Sequence, residues 1–389
     1  MVRRLVVVGA SHAGVAAATA ARDAGAYDEV VVVGAEERAP YQRPPLSKEV
    51  LTGAAEPAQL GVLDQVTLHT GMRARGLDPV RRVLVTDAGE VGYDALVIAT
   101  GARPRTLPAI PEALTLRTYD DARGLGAALA GARRVAVVGA GFIGAEVASA
   151  VRSRGGAVTL LEQAPLPLCG LVGEDVAQRL LALHAAHGTS VRVGARVIGA
   201  RRAAGRVTGV ELADGELVAA DVVVAALGVA PDTGWLTASG IALDADGAVR
   251  CDDRLRTSLP HVLAAGDVAR VAGHGCGHVL TATEQGRAAG MNAAGADEAW
   301  SPRPFAWSQW YGHRLQLVGR FHGLATPALI ARDEDGSLLA VAGEADRLLG
   351  VFGLDRPRQV AALRRVVGEP GSWERALEQI SPAPAPIPA

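Results

Sequence analysis

RVAVVGAGFIGAEVASAVRSRGGAVTLLEQ, residues 134–163, decides the fold. An apolar run leads into a turn with glycines at 139, 141 and 144. An Ala-rich stretch, a glycine break at 155–156 and a second apolar run ending in Glu162 follow. That order reads as strand, tight turn, helix and parallel second strand, a βαβ unit. In such a turn Gly139 permits the bend and Gly141 lets a pyrophosphate approach the backbone. Gly144 lets helix and strand pack closely, and the helix N-terminus faces the phosphates. Phe142 and Ile143, inside the turn, belong to the same candidate site. Glu162, about 20 residues on, stands where a carboxylate binds a ribose 2′-hydroxyl. No arginine follows it at 163–165, so a 2′-phosphate would lack a partner, which favours NAD over NADP.

The pattern occurs twice. Residues 4–37, RLVVVGASHAGVAAATAARDAGAYDEVVVVGAEE, repeat the apolar run, small-residue turn, Ala-rich helix and Val-rich strand. Here the turn is Gly9, Ser11 and Gly14, with His12 and Ala13 inside it. Serine at the middle position is small, and its hydroxyl suits a phosphate; His12 reads better as a packing residue than as a catalyst. The acid is Glu36 or Glu37, with Glu36 preferred. One glycine-rich turn also serves ordinary strand–helix packing. Two of them, each with its acid, point to two dinucleotides on one chain and to a flavin reduced by a nicotinamide. The fold expected is α/β, with two Rossmann-like dinucleotide-binding domains.

Two further runs close the first domain. Residues 93–101 end in Ala99, Thr100 and Gly101, suited to backbone passing close to a ligand. Residues 257–268 end in Gly266 and Asp267, and Asp267 at a strand's C-terminal edge can accept hydrogen bonds from a polyol. The helical stretch 281–294, which carries Glu284, points its N-terminus the same way.

Bulk properties narrow the class. At 389 residues the chain predicts two or three domains, and a net charge of −2 gives no footprint for nucleic acid. No apolar run approaches the roughly 18 residues of a membrane span. Cys169, Cys251 and Cys276 form no CxxC pair, and a cytoplasmic protein is expected. Lys+Arg total 39, yet Lys48 is the only lysine, following an Arg-Pro-Pro turn in PYQRPPLSK, residues 40–48. An ammonium is a compact point charge that a planar guanidinium does not replace.

From residue 3 to 368 the chain resembles the FAD-dependent, NADH-oxidising ferredoxin reductases that serve cytochrome P450 and ring-dioxygenase systems. These have the pyridine nucleotide-disulfide oxidoreductase fold without its redox cysteines. The resemblance rests on GASHAG (9–14), PYQRPPLSK (40–48), VIATGARPR (97–105), VVGAGFIGAEVA (137–148), LGVAPDTGWL (227–236, with Gly228), VLAAGDVA (262–269) and GLDRPRQVAALRRVV (353–367). It implies an FAD domain over 1–104 and 229–301, an NAD domain over 105–228 and a C-terminal α+β domain over 302–380, starting near Pro302. A Pro/Ala tail over 381–389 is expected to be disordered. It also implies that Lys48 lies near flavin N5 and pairs with Glu146, and that Arg43 helps hold FAD. A nearby cation stabilises the anionic reduced flavin. Residues 36–52 hold no cysteine, so electrons leave the flavin directly, and the resemblance implies that they go singly to a [2Fe–2S] ferredoxin. A monomer or homodimer is expected, with NADH as donor and NADPH less favoured.

The chain departs from the family in two places. FAWSQWYG, residues 305–312, keeps Trp307, expected at the flavin rim, and Ser308. It carries Gln309 and Trp310 where the family has Asp and Gln. Trp310 either shapes an acceptor surface or fills core. The stretch around Cys169 and Gly170 lacks an arginine that many relatives have. These departures keep two alternatives open: a flavoenzyme acting directly on a small molecule such as a quinone, or a flavoprotein with mainly a binding role. His274, Cys276 and His278 alternate in a glycine-rich loop, but no partner pair makes a structural metal site, nor do His184 and His187 supply one. Arg73, Arg75, Arg303 and Arg314 are candidate dockers for a protein partner, although solvated surface is the simpler reading of each.

Overall fold

Runs of valine and leucine form two parallel sheets, one for each copy of the repeated unit. The computed structural model describes residues 2–61, 63–301, 304–321, 329–332 and 336–380. The chain divides into two compact units, Met1–Leu46 with Ala55–Pro104 and Val229–Pro302, and Ser47–Ala54 with Arg105–Gly228 and Arg303–Ala389. Pro302, where the C-terminal domain was expected to begin, lies outside the described residues, as do Arg303 and the tail 381–389.

In the first unit, five parallel strands run in the order Val262–Ala264, Ala95–Ile98, Arg4–Val8, Glu29–Val33, Thr67–His69. Arg4–Val8 is central and pairs Val6 with Val31 on one side and Val7 with Val97 on the other. Leu5, Val6 and Val7 are fully buried, as a parallel sheet covered on both faces requires. Two helices, His12–Asp23 and Val279–Ala293, cross at close range. A Cβ on Gly286 would lie 2.1 Å from the Ala13 carbonyl oxygen, and one on Gly290 would lie 2.2 Å from that of Ala17. Glycine is what lets the backbones meet. An antiparallel meander, Ala74–Asp78, Val83–Thr86 and Gly89–Gly92, completes the unit.

In the second unit, four parallel strands run Ser190–Val193, Ala157–Glu162, Arg134–Val138, Val222–Ala225. The helix Tyr119–Ala130 begins at a capping box between Thr118 and Asp121. The C-terminal residues form an antiparallel sheet in the order Phe305–Trp310, His313–Gly319, Arg347–Leu354, Leu338–Glu344, Leu329–Arg332. Both its faces are covered. Trp310, Leu315 and Phe352 pack with Val176 and Leu180 of helix Glu174–Ala186, while Phe305, Val318 and Val351 pack with Val360, Leu363 and Ala376 of the last two helices.

Residues 47–54, which the sequence places with the first domain, group with the second unit. Leu51 is the reason: it is fully buried in one apolar cluster with Leu125, Val147 and Val151. Among the described residues no helix is long and apolar enough to cross a membrane.

Candidate functional site

The first glycine turn is tied to the PYQRPP segment. Ser11, at the N-terminus of helix His12–Asp23, makes no capping bond with its side chain. Its hydroxyl instead accepts from Arg43 Nε at 2.9 Å, and Arg43 Nη2 pairs with Glu36 Oε1 at 2.6 Å. Tyr41 donates to the other Glu36 oxygen at 2.5 Å. His12 is buried, its Nε2 3.0 Å from Gln42 Oε1. Serine in place of glycine therefore anchors the arginine beside the turn, a link visible only once residues 32 apart are brought together.

The closing segments reach the same sheet edge. Ala99, Thr100 and Gly101 follow strand Ala95–Ile98, and Thr100 Oγ1 donates to the Asp232 carbonyl at 2.8 Å. Gly266 and Asp267 follow Val262–Ala264; Asp267 Oδ1 accepts from the Gly277 amide at 3.1 Å. Glu284 is exposed on helix Val279–Ala293. Its neighbour Gln285, which the sequence reading passed over, is fully buried and accepts from the Gly266 amide at 2.8 Å. Helical phase was the available signal, since Gln285 adjoins the close-packed Gly286. Burial raises the thiol pKa of Cys276, and Asp267 adds to it. Among the described residues no group of three or more His, Cys, Asp or Glu gathers as a metal site.

In the second unit Gly139 has φ +102°, and a Cβ there would lie 2.4 Å from the Ala226 carbonyl oxygen. Gly141, at the N-cap of helix Phe142–Ser153, faces open space: a Cβ there would meet nothing within 4 Å. Both turns fit dinucleotide phosphates, because a bound anion competes with no side-chain cap at either helix. Glu162 Oε2 accepts from the Ala140 amide and Oε1 from the Ala164 amide, each at 2.9 Å. The carboxylate is thereby held at the end of its strand. Gly228 is exposed after strand Val222–Ala225, its carbonyl accepting from the Arg105 amide.

Also within the second unit lies a buried charged cluster. Lys48 Nζ stands 2.9 Å from Glu146 Oε2, with the two side chains 13% and 5% exposed. Ser47 donates to the same oxygen, and Ser308 Oγ donates to Glu146 Oε1 at 2.5 Å. The ammonium also lies 5.1 Å from the Trp307 ring centroid, a cation–π distance. Ser308 shares its strand face with Trp310, whose Nε1 donates to Ser308 Oγ at 2.8 Å. Trp310 is completely buried, so of its two readings it fills core and shapes no surface. Phe305 is buried against the last two helices, and Tyr311 is half-buried beside His184. Arg73, Arg75 and Arg314 are exposed, and Arg75 pairs with Asp87 at 3.4 Å.

Two glycine turns at the C-terminal edges of parallel sheets, with an acid after each second strand, define a protein built to bind two dinucleotides. Residues 3–286 match the model of the pyridine nucleotide-disulphide oxidoreductases, and residues 305–377 match that of the reductase C-terminal domain. The chain belongs to the pyridine nucleotide-disulphide oxidoreductase family, in its ferredoxin-reductase branch. It is 32% identical to rhodocoxin reductase of Rhodococcus erythropolis, over 93% of this chain and 89% of that protein. It is 34% identical to the anthranilate 1,2-dioxygenase system ferredoxin–NAD(+) reductase component of Burkholderia cepacia, over 93% of each. The solved covalent putidaredoxin reductase–putidaredoxin complex is similar with a TM-score of 0.86 at 28% identity, covering 94% of this chain and 92% of that one.

Proposed function

We propose that this protein takes electrons from NADH through bound FAD and passes them singly to a [2Fe–2S] ferredoxin of an oxygenase system. Residues 1–104 and 229–301 hold FAD, residues 105–228 hold NADH and residues 302–380 form the C-terminal domain. When bound, FAD supplies the step between two-electron nicotinamide chemistry and one-electron transfer. The buried Lys48–Glu146 pair carries this reading. In a site of low dielectric a fixed ammonium offsets the negative charge that reduction brings, with no reorganisation needed. Glu146 orients that ammonium, and the Trp307 ring lies against it. Ser11, Arg43 and Glu36 bind and orient the adenosine and phosphate end of FAD.

The choice of NADH rests on Glu162. Both its oxygens accept from backbone amides, so the charge stays in place, where it would accept from ribose hydroxyls and repel a 2′-phosphate. A ferredoxin acceptor is supported by the relatives named as ferredoxin reductases and by the putidaredoxin complex. Direct small-molecule chemistry had its best support in Trp310, which is buried.

Anaerobic titration of the purified protein with each nucleotide, following the flavin spectrum, tests the reading. Rapid bleaching by NADH and slow or no bleaching by NADPH is expected. A flavin that neither nucleotide reduces would overturn it.

A further inference from the structure

We infer that Trp310 is a positioning residue for the Lys48–Glu146 pair, acting through Ser308; this deepens the reading above and rests on it. The argument is one of hydrogen-bond polarity. An indole N–H only donates, and a serine hydroxyl has one proton to give. Because Trp310 Nε1 donates to Ser308 Oγ at 2.8 Å, the Ser308 proton is directed to Glu146 Oε1, 2.5 Å away.

The other carboxylate oxygen is treated alike. Lys48, also donor-only, reaches Glu146 Oε2 at 2.9 Å and Ser47 Oγ at 3.5 Å, while Ser47 donates to Glu146 Oε2. Each oxygen thus receives a serine proton whose direction is set by a group that cannot accept. A glutamine or histidine at 310 presents either a donor or an acceptor and leaves the Ser308 hydroxyl free to turn. The indole is itself held: His184 stacks on it at 5.1 Å and Phe142 tilts against it at 6.1 Å between ring centroids. Without the Ser308 proton, Glu146 is less compensated and draws more on Lys48, which weakens the positive potential the ammonium offers to a reduced flavin.

The test is a double-variant cycle on flavin-loaded protein: Trp310→Phe, Ser308→Ala and both together. Two readouts serve, the flavin midpoint potential poised with dithionite and the rate of reduction by NADH. Each single variant is expected to move the potential negative and to slow reduction about tenfold with KM unchanged, a loss of geometry and not of binding. The double variant is expected to match Ser308→Ala alone. Additive effects, or a Trp310→Phe protein indistinguishable from wild type, would overturn the inference. If Trp310→Phe loses its flavin, benzothienylalanine at position 310 keeps the ring volume and replaces N–H with sulphur, and the same shift is expected. Failure of the functional reading looks different. Wild-type protein would then be inert to both nucleotides, while the dithionite potentials would still report the cycle.

Discussion

Glu146→Gln leaves a nearly buried ammonium facing a neutral amide. Breaking a buried pair by removing one partner costs about 3–5 kcal/mol. Urea unfolding of this variant is therefore expected to show a lower midpoint at unchanged slope. Lys48→Arg keeps the charge but spreads it over a fork too large and too flat for the space between Glu146 Oε2 and Ser47. Stopped-flow reduction by NADH is expected to slow at least about tenfold, through misplaced charge. The lysine itself was legible, because its type is unique in the chain and its motif is specific. The serines were not. Ser47 and Ser308 meet Glu146 from 99 and 162 residues away, and a hydroxyl declares no partner until the chain is folded.

At the scale of elements, the strand Phe305–Trp310 explains why the aromatic cluster resisted reading. Period-2 alternation separates core from solvent only where one face is wet. Here Phe305 packs against the last two helices, and Ser308 and Trp310 point toward helix Phe142–Ser153, so both faces are covered and one of them carries a buried charged cluster. The glycine turns are legible as turns because positive φ and close approach of neighbouring backbone restrict positions 9 and 139 to glycine. The helix Glu174–Ala186 carries a pH dependence. Burial, with a smaller contribution from His187, pushes the His184 pKa down to about 4. Its ring stacks on Trp310 and its Nδ1 meets the Tyr311 hydroxyl at 2.8 Å. The folded state holds this imidazole neutral while the unfolded chain protonates near pH 6.5, so stability is full above that pH. It is lost as pH falls toward 4, by roughly 3 kcal/mol. Denaturant titrations at pH 7 and 4.5 are expected to differ, and His184→Gln should reduce that difference.

For the whole molecule, one short segment groups away from its neighbours in sequence. Two repeated βαβ units were visible as repeats, and each builds its own parallel sheet. That Ser47–Ala54 groups with the second unit was not visible, since it depends on Leu51 finding Leu125, Val147 and Val151. Leu51→Ala is expected to cost about 2–5 kcal/mol. Differential scanning calorimetry should show the loss as a lower Tm. The solitary lysine has one more consequence. Apart from the chain's amino terminus, this protein offers a single primary amine to acylating reagents, and that amine is sequestered against Glu146. Mass spectrometry after a timed pulse of an amine-reactive ester therefore reads one side chain without any engineered label. Its labelling rate is a clock for how often the pair comes apart.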